Sequence, residues 1–174
     1  EIQFIPQSKL LERANTELRY PISIQDPTSG YAHRKDLIPD ALFALEYKTP
    51  EGNRYRSFII EADRSTEPAT SKNFNRKSWR RNLLQYEQYV RQGLYRDHLQ
   101  LKSPLLILIV VTDKMRAEQI GRLIKQHIPS LQTNMLFETW EAFGPVFSPP
   151  IPNTALLDGA WKRAELPAFR INAI

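Results

Sequence analysis

The stretch PLLILIVV, residues 104–111, contains the longest apolar run of the chain. An uninterrupted apolar strand is typical of the centre of a sheet that is covered on both faces. Thr112 or Asp113 then offers an N-cap for a helix of roughly 114–128, and NMLFE, residues 134–138, predicts a further strand. A strand, a helix and a strand at this spacing predict a parallel pair joined by a right-handed crossover.

Two segments upstream of this run predict a β-hairpin. ALFALEY, residues 41–47, and RYRSFIIEA, residues 54–62, are rich in the aromatic and β-branched residues that strands favour. The sequence KTPEGN between them, residues 48–53, suits a tight turn that pairs Thr49 with Gly52. A three-residue loop with a glycine bulge suits the same sequence, and it would shift the pairing by one residue.

Helices are predicted on either side of the hairpin. Residues 7–18 predict a short helix with Ser8 as its N-cap, followed by an extended piece at Tyr20–Ile24. Residues of roughly 75–95 predict a longer helix with Trp79 on its apolar stripe, in the core rather than stacked on a base. Lys77, Arg81 and Gln88 fall on the opposite face of that helix.

We predict one domain over residues 1–174, an α/β fold with a mixed β-sheet sandwiched by helices. The proline-rich residues 140–174 differ in composition from the rest of the chain. We expect them to wrap onto the body of the domain because they carry five large aromatic residues: Trp140, Phe143, Phe147, Trp161 and Phe169.

The composition is that of a globular protein, with 174 residues of which 41% are hydrophobic and 25% are charged. The absence of cysteine excludes a disulfide scaffold and a cysteine-ligated zinc or iron–sulfur site. No signal-peptide pattern and no apolar run long enough to cross a bilayer are present. We therefore expect a cytoplasmic protein that does not bind membranes.

Positive charge is concentrated in one segment of the chain. The net charge is +5, and residues 64–81 hold six basic residues against Glu67 alone: Arg64, Lys72, Arg76, Lys77, Arg80 and Arg81. Such a cluster indicates either a solvated helix face or a phosphate-binding surface for DNA. In the second case the affinity for DNA falls as salt is added.

Three carboxylates lie at the ends of the two hairpin strands. If Thr49 pairs with Gly52, then Asp40 faces Glu61, and Asp63 projects from the same face as Glu61. Hard oxygen ligands this close together predict a site for Mg²⁺ or Mn²⁺ that cleaves phosphodiester bonds, with all three carboxylates as catalytic residues and metal ligands. The alternative is a set of strand-end carboxylates that lie in solvent or pair with nearby arginines, because a one-residue shift would place Asp40 and Glu61 on opposite faces.

The same residues resemble a known family. IPDALFAL, residues 38–45, and IIEADRSTEP, residues 59–68, are similar to the replication-relaxation family, in which a proline-aspartate strand precedes a strand ending in E-x-D-R-x-T-E. VVTDKMR at 110–116 and LFETWEAFGP at 136–145 resemble later parts of that family, so the similarity covers most of residues 36–147.

The resemblance implies a PD-(D/E)xK nuclease-like fold and an association with plasmids and other mobile elements. It also implies DNA as a partner, beside other replication or mobilisation proteins. Members often begin with a winged-helix DNA-binding domain, and the residues before Asp36 are too few to form one. We expect that module to be missing from this sequence.

The lysine of the nuclease pattern is replaced by Asp63, as in replication-relaxation proteins. A carboxylate cannot offset the charge of a phosphate, so cleavage needs another cation. Lys72 or Lys77 can supply it, or Asp63 is a third metal ligand and the ion acts alone. Three functions therefore stay open: a metal-dependent DNA endonuclease, a catalytically inactive DNA-binding accessory, and a protein-interaction module.

Overall fold

The computed structural model describes residues 1–141 and 153–173. In chain order the strands are β1 (Ile2–Pro6), β2 (Tyr20–Gln25), β3 (Ala32–Leu37), β4 (Ala41–Thr49), β5 (Gly52–Asp63), β6 (Leu105–Val111), β7 (Met135–Thr139), β8 (Ala160–Arg163) and β9 (Leu166–Arg170). The helices are α1 (Gln7–Ala14), α2 (Trp79–Arg91), α3 (Leu94–Leu99), α4 (Lys114–His127) and α5 (Ala155–Asp158), with a 3₁₀ helix at Pro129–Asn134. Seven strands form one mixed sheet in the order β1-β4-β5-β6-β7-β8-β9, and β2 pairs with β3 in a separate hairpin.

The central hairpin has the first of the two registers that the turn sequence allows. β4 and β5 are antiparallel with Thr49 opposite Gly52 and Ala41 opposite Ile60, so the bulged alternative is wrong. Gly52 has a φ of 118°, a conformation that residues with a side chain rarely adopt. The glycine of the turn therefore favours the two-residue connection and, with it, this register.

Strand β6 lies at the centre of the sheet, as its apolar sequence predicts. It pairs in parallel with β5 on one side and with β7 on the other. All seven of its residues are buried. Helix α4 connects β6 to β7, and its N-cap is Asp113, whose Oδ1 accepts a hydrogen bond of 2.8 Å from the backbone N–H of Arg116.

The helices α1 to α4 pack on one face of the sheet. Their buried side chains, which include Leu83 and Tyr86 of α2 and Ile120 of α4, form one cluster with the inward-facing residues of β4, β5 and β6. This part of the prediction is confirmed. In the described residues, the second face carries a separate cluster around Phe58, which is covered by Trp161 and its neighbours rather than by a layer of long helices.

The C-terminal residues extend and cover the sheet. β8 pairs with β7 and β9 pairs with β8, and Trp161 is buried. The hydroxyl group of Tyr47 donates a hydrogen bond to the carbonyl oxygen of Ile171. The expectation that this segment packs on the body is therefore confirmed for the described part, whereas Phe143, Phe147 and the prolines 145, 149, 150 and 152 lie outside the described residues.

Two predicted helices have different bounds in the structure. Helix α1 ends at Ala14 rather than at residue 18, because Asn15 adopts a left-handed conformation. Ser8 is not its N-cap, since Pro6 holds that position at the end of β1. The helix predicted at 75–95 is shorter and is followed by α3, because Gly93, also left-handed, ends the first helix and begins the second.

None of the described helices has the length and hydropathy that a bilayer-crossing segment requires.

Candidate functional site

Asp40 lies against Glu61 at the end of the central hairpin. Beyond the last paired residues, the backbone N–H of Asp40 donates to the carbonyl oxygen of Ile60 at 3.1 Å. The Asp40 carboxylate in turn accepts a bond of 2.7 Å from the backbone N–H of Ala62. Asp40 is therefore bonded to both sequence neighbours of Glu61, and the structure brings the two carboxylates together as the hairpin register predicts.

Glu61 is a buried carboxyl group with an unusual affinity for its proton. Glu61 is only 4% exposed to solvent. The pKa of Glu61 is raised to about 8. Burial is the largest cause, and the negative charge of Asp40 acts in the same direction, while a hydrogen bond from Tyr86 and the charge of Lys77 act against it. Glu61 is therefore largely protonated near neutral pH when no cation is bound.

Lys77 is the predicted lysine whose charge interacts with this pair. Its ammonium nitrogen lies 2.5 Å from Oε1 of Glu67. Burial lowers the pKa of Lys77, but the bond to Glu67 and the charges of Glu67, Glu61 and Asp40 outweigh burial and raise it. Lys72 is exposed, and within the described residues no contact joins it to the acidic pair.

Asp63 lies on the same face as Glu61, as predicted, but it has other partners. Its Oδ2 accepts hydrogen bonds from Nε1 of Trp79 at 2.9 Å and from Nε of Arg116 at 2.5 Å. Its Oδ1 accepts a bond of 2.8 Å from the backbone N–H of Ser65. Trp79 is in the core, as predicted. A role of Asp63 as a metal ligand stays a prediction, and the engagement of both its oxygens makes it a weaker candidate than Asp40 and Glu61.

Arg116 is a component of the site that the sequence did not identify. It is buried on α4, and its Nη2 donates to the carbonyl oxygen of Glu67 at 2.5 Å. The Asp63–Arg116 ion pair thus connects the end of β5 to the backbone of Glu67, whose side chain holds Lys77. Its sequence signal was the stretch VVTDKMR at 110–116, which resembles the family without indicating a role for the arginine.

The six basic residues predicted to bind DNA do not share one surface. Lys72, Arg76 and Lys77 are exposed, Arg64 and Arg80 are half-buried, and Arg81 is only 8% exposed. The placement of Arg81 on the exposed face of α2 is therefore wrong. Its Nη1 turns inward and donates to the carbonyl oxygens of Phe74 and Asn75 at 3.3 and 3.0 Å.

Asp40 and Glu61 form a donor set that suits a small divalent cation. Among the residues that the structure describes, no three histidine, cysteine, aspartate or glutamate side chains are grouped for metal binding. Mg²⁺ commonly binds through one or two carboxylates and keeps several waters, so two hard oxygen ligands suffice. The raised pKa of Glu61 beside Asp40 indicates a site where added positive charge is favourable.

Comparison with known protein families gives a match. A family model described as replication-relaxation matches residues 10–102, which is more than half of the chain. The matched range includes Asp40, Glu61, Asp63 and Lys77, and it ends before Arg116 and before the stretches at 110–116 and 136–145. No curated protein and no solved structure matches the chain.

Proposed function

Because the chain belongs to the replication-relaxation family, we propose that it is a DNA-binding protein that acts in the replication of a plasmid or other mobile element. We propose further that Asp40 and Glu61 bind Mg²⁺ or Mn²⁺ and that the site cleaves DNA. The observation that carries this proposal is the placement of Asp40 against the buried Glu61, with the Asp40 carboxylate bonded to the backbone N–H of Ala62.

In the nuclease pattern a lysine occupies the position of Asp63, so this chain lacks that positive charge. In our proposal Lys77 supplies it. It comes from the segment between β5 and α2, whereas the lysine of the nuclease pattern comes from the strand itself. The bond to Glu67 and the charges of Glu67, Glu61 and Asp40 outweigh the effect of burial and raise the pKa of Lys77, so it is charged at neutral pH. A lysine from a neighbouring segment can thus offset the negative charge of a phosphate bound at the strand end.

The roles of the other residues follow from their contacts. Asp40 and Glu61 would hold the cation, which would supply activation of a water molecule and polarisation of a phosphoryl oxygen. Tyr86 fixes the carboxyl group of Glu61 through its hydroxyl hydrogen bond. Asp63 and Arg116 hold the backbone of Glu67 and so keep Lys77 near the pair.

The exposed residues Lys72 and Arg76 provide the DNA contacts in this proposal. They lie in the same segment of the chain as Lys77 and are exposed, so they are available to bind phosphates. The mixed sheet, with its candidate site at the end of the central hairpin, supports a PD-(D/E)xK-like core. This role places the protein in the cytoplasm, with DNA and other replication or mobilisation proteins as partners.

The first test is cleavage of plasmid DNA in the presence of Mg²⁺ or Mn²⁺. We expect Asp40→Asn, Glu61→Gln and Lys77→Met each to lower the cleavage rate by roughly 100-fold or more, as the loss of a transition-state contact does. Glu51→Gln, in the exposed hairpin turn, is the matched control and should cleave like the wild type. Calorimetric titration with Mg²⁺ should show binding that Asp40→Asn and Glu61→Gln abolish and Lys77→Met preserves.

A second candidate function is that of a DNA-binding accessory without catalysis. The observation that favours it is that Lys77 is already ion-paired to Glu67, so that its charge is partly neutralised within the protein. In that case DNA binds in a salt-dependent manner and no metal ion supports cleavage. If DNA does not bind even at low salt, both candidates are wrong and a protein-interaction module is left.

A further inference from the structure

A cavity of about 720 Å³ opens far from the acidic pair, at the other end of the central hairpin. It lies between α1, the sheet and residues 100–103, which connect α3 to β6. Ser57 lines the cavity on β5, four residues before Glu61 and so roughly 13 Å away along the strand. The volume is in the usual range for small-molecule sites, which is about 300–1,000 Å³.

The floor of this cavity is apolar and carries two hydroxyl groups. Leu10, Ala44 and Leu101 are buried side chains that line it. The hydroxyl oxygens of Ser57 and Ser103 are 2.8 Å apart, so one of the two hydroxyl hydrogens is used in their mutual bond. The other hydrogen remains to donate to an oxygen atom of a ligand.

The rim of the cavity carries positive charge without a matching negative charge. Arg13, Arg54 and Lys102 line it, and no aspartate or glutamate is among its lining residues. The ion pairs found within the described residues all involve other side chains. The carboxylate of Glu46 on β4 accepts hydrogen bonds from Tyr55 and Asn53.

We propose that this cavity binds an organic phosphate, with the phosphate group at the cationic rim and an aromatic or apolar body against the floor. Arginine is suited to phosphate because its planar group donates two parallel hydrogen bonds. Tyr55 lines the cavity and is 47% exposed, so its ring provides a face on which a base can stack. The ligand is a nucleotide phosphate, either of a free nucleotide or of the end of a DNA strand.

The inference is independent of the cleavage activity proposed above, because none of the residues of the acidic pair lines this cavity. The probe is deoxyadenosine monophosphate, titrated by calorimetry at low salt into the full chain. Deoxyadenosine and inorganic phosphate, titrated separately, test the two halves of the ligand. We expect the monophosphate to bind more tightly than either.

Substitutions at the rim test whether the monophosphate binds in this cavity. Arg54→Gln and Lys102→Gln should each weaken binding of the monophosphate by about tenfold, as the loss of a charge-assisted hydrogen bond does. Both side chains are exposed, so the fold is retained, which circular dichroism verifies. Arg122→Gln removes an equal charge from the exposed surface of α4 and should bind like the wild type.

A further comparison shows whether the ligand is a free nucleotide or the end of a DNA strand. It uses an oligonucleotide with a 5′ phosphate and the same oligonucleotide with a 5′ hydroxyl group. Tighter binding of the phosphorylated strand, lost in Arg54→Gln, identifies a strand end as the ligand. Equal binding of the two strands, with the monophosphate still bound, identifies a free nucleotide. The proposal is overturned if the monophosphate does not bind, if inorganic phosphate binds as tightly, or if Arg54→Gln and Lys102→Gln bind it as well as Arg122→Gln.

Discussion

The hydroxyl group of Tyr86 donates a hydrogen bond to Oε1 of Glu61, and both side chains are buried beneath the end of β5. The tyrosine lies on the inner face of α2, so the bond ties this helix to the sheet at the candidate site. It also holds one carboxyl oxygen in place while Asp40 lies at the surface beside it.

Replacing Tyr86 with phenylalanine should affect both stability and the candidate metal site. The hydrogen bond lowers the pKa of Glu61, so its loss should raise that pKa above about 8. We expect the free energy of unfolding to fall by about 1–3 kcal/mol and the affinity for Mg²⁺ at pH 7 to fall with it. Urea denaturation and calorimetry measure the two effects. Tyr31→Phe, at a residue 73% exposed, is the control, and an equal effect there would contradict the assignment.

The raised pKa of Glu61 predicts that stability decreases as pH rises. Between the ordinary glutamate pKa of 4.5 and the folded-state value of about 8, the native state binds one more proton than the unfolded state. The stabilisation is complete below pH 4.5 and is lost as pH rises through 8, by up to about 1.4 kcal/mol per pH unit.

Denaturation of the wild type and of Glu61→Gln at several pH values measures this effect. The difference in unfolding free energy between the two proteins should change with pH in that window, whereas other titrating groups contribute equally to both. Saturating Mg²⁺ should flatten the wild-type curve if the ion binds the ionised carboxylate. A pH-independent difference would mean that Glu61 titrates normally.

The buried ion pair of Asp63 and Arg116 should be essential to the fold around the site. Asp63→Asn or Arg116→Gln leaves one charge buried without its partner, which costs about 3–5 kcal/mol. In a double-mutant cycle the combined variant should lose less stability than the sum of the two. Additive losses would show that the two residues do not act together.

Restoring the nuclease lysine is the sharper experiment on this pair. Asp63→Lys places an ammonium group next to the guanidinium of Arg116 in a buried position. We expect it to destabilise the protein more than Asp63→Asn and to leave cleavage no faster. A stable Asp63→Lys variant with higher cleavage activity would mean that the carboxylate has no structural role.

The basic residues of segment 64–81 should differ in their effect on DNA binding. Lys72→Gln and Arg76→Gln should each reduce the slope of the logarithm of DNA affinity against the logarithm of salt by about one. Arg81→Gln should instead lower the unfolding free energy and leave the slope unchanged, because its guanidinium contacts backbone carbonyls of the protein. Fluorescence anisotropy at several salt concentrations measures the slopes. An unchanged slope in the Lys72 and Arg76 variants would contradict the proposed surface.

The hairpin and the parallel strands could be predicted from the sequence because local chemistry determines them. The proline and glycine of the turn predict the hairpin and allow two registers, of which the structure has the one that places Asp40 near Glu61. The apolar run at 104–111 and the cap at Asp113 likewise identify β6 and α4. Each of these signals lies within a few residues of the feature that it predicts.

The parts that the sequence did not indicate depend on long-range contacts or on weak patterns. Arg116 is 53 residues from Asp63, and nothing in its neighbourhood distinguishes it from other arginines. Arg81 falls on the polar side of α2, yet its long side chain turns back to the preceding loop. Strands β1 and β3 were missed because short, mostly exposed strands show little apolar alternation.

The hydrogen bond from Tyr47 to Ile171 joins residues 124 positions apart. Closing so long a loop lowers the conformational entropy of the chain before any stabilising contact forms. Contacts of this kind therefore slow folding. During synthesis, the face of the sheet around Phe58 stays exposed to solvent after the hairpin has formed, because the residues that cover it come much later in the chain. Residues of β8 and β9, which are translated after the hairpin, complete this core, and apolar surface left exposed until then favours aggregation of the nascent protein.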